Sequence, residues 1–123
     1  MTKTVLELTS EELGAYQPCV ERVTPPDRER WERAWQLAQS AAELLRVRFH
    51  AVRIVVFGSL VDQRRFTPWS DVDLSAWGIP PDDFYRAVAV ITGLSPEFEV
   101  DLVDPQMCPP ALLERINHEG IEL

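Results

Sequence analysis

Cysteine is nearly absent: Cys19 and Cys108 are the only two in 123 residues, far apart and in no metal-ligand spacing. So sparse a pair builds no disulfide framework and no zinc site, and two reduced thiols in a cytosolic protein are expected. Long apolar runs are missing as well. Nothing approaches the roughly 20 residues that span a bilayer. The opening stretch from Met1 to Leu8 also lacks the apolar centre of a cleavable signal. A cytoplasmic location without membrane association is expected. Positive charge is short too: 12 basic side chains face 20 acidic ones, for a net charge of −8. Duplex binding draws on Lys and Arg that release counterions, so no direct DNA binding is expected. Histidine occurs twice, at His50 and His118, neither with a metal-ligating partner at useful spacing. Both are expected to be structural or solvated. No internal repeat or low-complexity tract is seen.

What is present is a soluble globular composition, 46% hydrophobic and 26% charged. The length suits one domain over residues 1–123, with 1–23 as an N-terminal extension and 24–123 as the core. In the extension, Thr9-Ser-Glu-Glu12 has the capping-box pattern and predicts a short helix ending before Pro18. Thr24-Pro-Pro-Asp27 then opens a long helix to about Phe49, with Thr24 as cap. Its apolar seam is Trp31, Trp35, Ala38, Ala42, Leu45 and Phe49. Val52 to Phe57 reads as a strand covered on both faces. A helical turn or two and a loop around Phe66-Thr-Pro-Trp69 lead to a second strand from Asp71 to Trp77. There Val72, Leu74 and Ala76 face one way and Asp71, Asp73, Ser75 and Trp77 the other. Asp82 to Thr92 predicts a helix facing inward through Phe84, Ala87, Val88 and Ile91. Glu97 to Val103 predicts a third strand. A last helix starts near Pro109-Pro110, carries Leu112, Leu113 and Ile116, and stops at Gly120. The order αβαβαβα describes an α/β chain (α+β by some schemes), with a small mixed sheet packed against helices.

The chemistry gathers between Ile54 and Trp77. A buried strand ends in Gly58-Ser59, eleven residues follow (Leu60 to Ser70), and Asp71-Val-Asp-Leu74 comes next. Residues two apart on a strand share a face, with Cα atoms roughly 6.5 Å apart. Asp71 and Asp73 would therefore aim two carboxylates at one spot, and like charges so placed resist joint ionisation unless a cation joins them. Hard oxygen ligands suit Mg²⁺. Gly58 allows close backbone approach to a ligand, and a helical turn opening behind it points N–H groups at an anion. Asp101, in Glu-Val-Asp-Leu-Val, is a third carboxylate on a strand able to neighbour the second. Three such groups can hold two metal ions roughly 4 Å apart. The acidic net charge is compatible with a Mg²⁺-nucleotide, because the metal offsets repulsion locally.

Phe57-Gly58-Ser59, the spacer, Ser70-Asp71-Val72-Asp73-Leu74 and Val100-Asp101-Leu102-Val103 together resemble the DNA polymerase β-like nucleotidyltransferases. The nearest likeness is to their minimal nucleotidyltransferase (MNT) domains, over roughly Trp31 to Leu123. The resemblance implies phosphate binding by Gly58 and Ser59. It implies Mg²⁺ held by Asp71 and Asp73, with Asp101 completing the metal site and helping to activate an acceptor hydroxyl. Two features depart from the family: a small residue and Arg-Gly usually follow the Ser, whereas Leu60-Val61-Asp62-Gln63 stands here, and the spacer is about one residue longer than is common. Asp62 cannot hold a phosphate; Arg64 or Arg65 would have to substitute.

Minimal domains of this kind are typically encoded beside a HEPN protein as its antitoxin, so a hetero-oligomer with such a toxin is expected. The implied activity is transfer of AMP from ATP to a partner hydroxyl, a tyrosine. A non-catalytic antitoxin that works by binding is one alternative, and an aminoglycoside-type small-molecule nucleotidyltransferase is another. Trp69 and Trp77 flank the aspartates and could stack on a base or meet a partner, but packing at the core or rim is the expected role. Trp31 and Trp35 are expected in the core.

Overall fold

Alanine decides how closely the long helix approaches the sheet. The computed structural model describes residues 25–123, with side chains from residue 28 on. The expected Thr9–Glu12 capping box, the Thr24 cap and Cys19 lie outside that range. Helix α1 (Pro25–Phe49) turns Ala34, Ala38, Ala41 and Ala42 inward, each at most 1% exposed. With nothing beyond Cβ, these positions let the helix backbone lie close to the strands. Leu45 and Phe49 fill the remaining width, and Trp31 and Trp35 pack edge to face at the other end, centroids 6.2 Å apart. Such an aromatic pair adds about 1 kcal/mol beyond its area. Arg46 and Arg48 in the last turn complement the helix dipole. His50 stops the helix with φ at 65°, the left-handed region that side chains beyond Cα disfavour.

Four strands follow: β1 (Arg53–Phe57), β2 (Val72–Trp77), β3 (Val100–Val103) and β4 (Ile121–Glu122). They lie in the order β3-β2-β1-β4, with β2 and β3 parallel and the other pairs antiparallel. Helix α2 (Pro81–Thr92) makes the crossover from β2 to β3, and α3 (Pro110–Glu119) leads into β4. On one face, Ile54, Val56, Val72, Leu74, Ala76 and Val100 meet α1 and α2 in the main core. On the other, Val55 and Phe57 meet Ile116 of α3, with Leu112, Trp77 and Val103 around them. The result is three layers, helices on both sides of a small mixed sheet.

The expected order holds as far as α3, with differences that have local causes. β4 was not anticipated, since two exposed residues carry no alternation; they pair with Val55 and Val56. β3 begins at Val100 rather than Glu97. The Ser95 hydroxyl accepts the N–H groups of both Glu97 and Phe98, bending the chain there before it can join the ladder. Ser75 is fully buried although it shares a face with Asp73, because α3 covers that part of the face; its hydroxyl donates to the Val55 carbonyl. In α2 it is Val90, not Val88, that reaches the main core beside Ala87 and Ile91.

Two arginines of α1 fasten the segments that enter β2 and β3. Arg33 forks onto Glu97 at 2.6 and 3.0 Å. Arg30 donates to the Pro68 carbonyl at 2.8 Å and lies 4.4 Å from the Phe98 ring centre. His50→Gly should remove the backbone strain at the end of α1. A gain of about 0.5–1 kcal/mol is expected, read as a thermal midpoint raised by a few degrees.

Candidate functional site

Pairing register places the carboxylates. Directly opposed residues share a face, and Phe57, Asp73 and Asp101 stand opposite one another across β1, β2 and β3. The next row on that face is Val55, Ser75 and Val103, which α3 covers, and beyond it come Arg53 and Trp77. Polarity thus changes along one face of the sheet, from sealed under α3 to open at the carboxylate row. Neighbouring strands lie about 4.8 Å apart, so Asp73 and Asp101 emerge side by side. Asp71 sits immediately before β2, whose first N–H, from Val72, donates to the Glu99 carbonyl at 2.9 Å.

Burial first, then the charges of Asp101 and Asp71, push the Asp73 carboxyl up to about 6, while Arg115 on α3 acts the other way. Asp101 is exposed at the outer edge, yet partial desolvation and the charge of Asp71 raise it too. Like charge thus opposes the ionisation of Asp73 and of Asp101.

Gly58 closes the site from the β1 side. Its φ is 80°, and a Cβ there would stand 2.5 Å from Asp73 Oδ2. Only glycine lets the chain pass so close to that carboxylate. The connection then winds through two 3₁₀ turns, Gly58–Val61 and Gln63–Arg65. The Ser59 carbonyl accepts the Asp62 N–H, and the Leu60 carbonyl accepts Trp31 Nε1 at 3.0 Å, tying the turn to α1. Asp62 accepts the Arg64 N–H at 3.0 Å and its guanidinium at 3.3 Å. Arg65 lies 3.8 Å from Glu119 of α3.

The two tryptophans part company. Trp77 is two rows from the carboxylates, with the Arg53 guanidinium 4.4 Å above its ring, so it packs at the rim. Trp69, expected to pack, is 85% exposed in the turn before Asp71. His50 and His118 are exposed, and Cys108 is a free thiol. Concave volumes of about 220 and 420 Å³ open at the opposite end of the sheet, lined by Trp77, Pro80, Phe84, Asp104 and Met107 among others. None of the three aspartates lines them.

Among the described residues, no three Asp, Glu, His or Cys side chains converge tightly enough to hold a metal ion as they stand. The donor chemistry nevertheless fits a hard divalent cation. Asp71, Asp73 and Asp101 offer oxygen ligands only, and a cation would relieve their mutual repulsion. Arg115 was not singled out from the sequence. Its usable signal was the double-sided apolar pattern of β1, which requires a helix on the Val55–Phe57 face.

A solved structure described as that of a candidate minimal nucleotidyltransferase is similar to this chain. The two share 29% identity, with a TM-score of 0.58, over 76% of this chain and 95% of that one. No protein-family model matches the chain, and no curated protein matches it at a significant level. The fold is a nucleotidyltransferase fold. More narrowly, it is that of a minimal nucleotidyltransferase domain. No helix among the described residues is long and apolar enough to cross a membrane.

The raised Asp73 carboxyl gives a signed prediction. Below the ordinary carboxylate value the group is protonated folded and unfolded alike, and stability is unaffected. Between the ordinary value of 3.8 and about 6 the unfolded chain gives up this proton while the folded state keeps it, so the metal-free protein loses stability across that window and none further above it. Asp73→Asn should therefore stabilise the metal-free protein by about 1 kcal/mol at pH 7.5, a figure discounted for partial exposure, and by far less at pH 4. Thermal melts with chelator at both pH values check this.

Proposed function

We propose that this chain is a Mg²⁺-dependent nucleotidyltransferase that uses ATP to place AMP on a hydroxyl of a protein partner. The acceptor is a tyrosine of a co-encoded HEPN toxin, which makes the chain an antitoxin acting in a hetero-oligomer. The observation that carries the transfer reading is the Asp73–Asp101 register pair with the Gly58 backbone closed against Asp73. The partner rests on the resemblance of the Gly-Ser and Asp-x-Asp pattern to toxin-paired minimal domains.

In the reaction the acceptor oxygen attacks the α-phosphorus. A phosphorus–oxygen bond forms to the acceptor, the bond to pyrophosphate breaks, and the hydroxyl proton leaves to a carboxylate or solvent. Asp101 suits that proton: it is exposed at the edge of the row, and its raised pKa makes it a better base than an ordinary aspartate. Asp71 and Asp73, completed by Asp101, would hold Mg²⁺, which when bound neutralises charge on the α-phosphate and pyrophosphate. Gly58, with no side chain, leaves the phosphates room beside the carboxylates.

A second reading is a non-catalytic antitoxin that blocks its partner by contact. It draws on the segment after Ser59, where Asp62 and Arg64 close on each other rather than on the open site.

Intact-mass spectrometry of the neighbouring gene's product, incubated with this protein, ATP and Mg²⁺, tests the proposal. A gain of one or more AMP units is expected. Asp71→Ala with Asp73→Ala should lower transfer at least about a thousandfold, roughly 4 kcal/mol of barrier, with the circular dichroism spectrum unchanged. An unmodified partner that forms a stable complex on a sizing column would replace transfer with the binding reading. Gly58→Ala, whose Cβ would press on Asp73, should cut transfer about a hundredfold or more.

A further inference from the structure

The acidic row must accept a polyanion. A triphosphate approaching three carboxylates in a chain of net charge −8 needs a cation of the protein's own besides any bound metal. The arginines nearest in sequence to Gly58-Ser59 are already engaged. Asp62 takes Arg64 through its backbone and side chain, and Glu119 draws Arg65 at 3.8 Å.

Helix α3 presents another. Leu112, Arg115, Ile116 and Glu119 fall at the i, i+3, i+4 and i+7 spacing of one helix face. The ends and middle of that stripe have known positions. Ile116 is 1% exposed against Val55 and Phe57, with Leu112 beside it, and Glu119 reaches Arg65 across the 3₁₀ turns. Helix α3 also lies against the Gly58–Val61 turn. Arg115, between these anchors, is therefore held over the side of the sheet where Phe57 stands opposite Asp73. Its charge is felt at Asp73, and it remains exposed without an ion pair among the described residues. A planar guanidinium with five donors on a helix packed by its neighbour suits a phosphate better than a mobile loop cation does.

We propose that Arg115 is the phosphate-binding cation of this site, gripping the outer phosphates of a bound nucleoside triphosphate beside the carboxylate row. The proposal rests on the nucleotidyltransferase reading above and names the group that reads the length of the phosphate chain.

Equilibrium binding of Mg²⁺-ATP and of Mg²⁺-AMP to wild type and to Arg115→Ala, Arg115→Lys and Arg64→Ala tests it. Arg115 is exposed, so the variants should fold, and their melting curves verify that. Arg115→Ala should weaken ATP binding about tenfold and leave AMP binding within about twofold, since only the longer chain reaches the guanidinium. Arg115→Lys should recover part of the loss, and Arg64→Ala should bind ATP like wild type. Inorganic tripolyphosphate should displace ATP from wild type and do so poorly from Arg115→Ala. If wild type binds ATP and Arg115→Ala binds it equally well, Arg115 has no such role and the nucleotidyltransferase reading survives. Equal losses of ATP and AMP binding would also overturn the proposal, reducing Arg115 to a structural group. If wild type binds no ATP with Mg²⁺, the parent reading falls and takes this one with it.

Discussion

Two carboxylates side by side on parallel strands repel each other, and that repulsion exists only while the register of β2 against β3 holds. Side chains alternate with a period of two, so a slip of one residue would carry Asp101 to the opposite face. What forbids the slip is the other face. Val72 stands opposite Val100 and Leu74 opposite Leu102, and all but the partly buried Leu102 are sunk fully under α1 and α2. Each fully buried aliphatic side chain contributes about 1.5–3 kcal/mol, so moving Val72, Leu74 and Val100 into water would cost more than separating the acids could recover. The apolar face therefore fixes the geometry of the polar one.

The same layout shows where stability has been given up. Asp73 is half-buried beside two other acids, and Gly58 adopts a backbone conformation that a residue with Cβ would fill with a clash. The compensation lies elsewhere, in the alanine face of α1 and in the two clasps that α1 makes through Arg30 and Arg33. Exposed ion pairs contribute at most about 1 kcal/mol each. The clasps matter more for position than for energy, because Pro68 and Glu97 are the residues from which the chain runs into Asp71 and Asp101.

Most of the fold was legible because its signals are local and repeated. The Trp31-to-Phe49 seam, the alternation from Asp71 to Trp77 and the Pro-opened α2 and α3 each combine a period with a stop. The Asp71/Asp73 pair and Asp101 were likewise readable, and the structure brings Asp73 and Asp101 together by register while leaving Asp71 just ahead of the strand. What escaped depends on which elements meet. That Ser75 is dry escaped because alternation reveals two faces without saying that both are covered. β4 is too short to carry a pattern. The start of β3 was displaced by a side-chain hydroxyl competing for backbone N–H groups, an effect no periodicity records.

Helix α3 resolves the remaining tension between a covered face and an open site. It seals the Val55–Ser75–Val103 row, which explains why a serine there is dry, and in the next row it covers Phe57 while Asp73 stays half open and Asp101 exposed. That boundary gives Asp73 its mixed character, desolvated enough to resist ionisation and open enough to meet a ligand. A helix laid further along would bury the acids without relief; one withdrawn would leave Asp73 facing only the repulsion of its neighbours. The position of α3 is set by Ile116 packing on Val55 and Phe57. One apolar contact on β1 thus holds α3, and with it Arg115, over the sheet beside the carboxylates of β2 and β3.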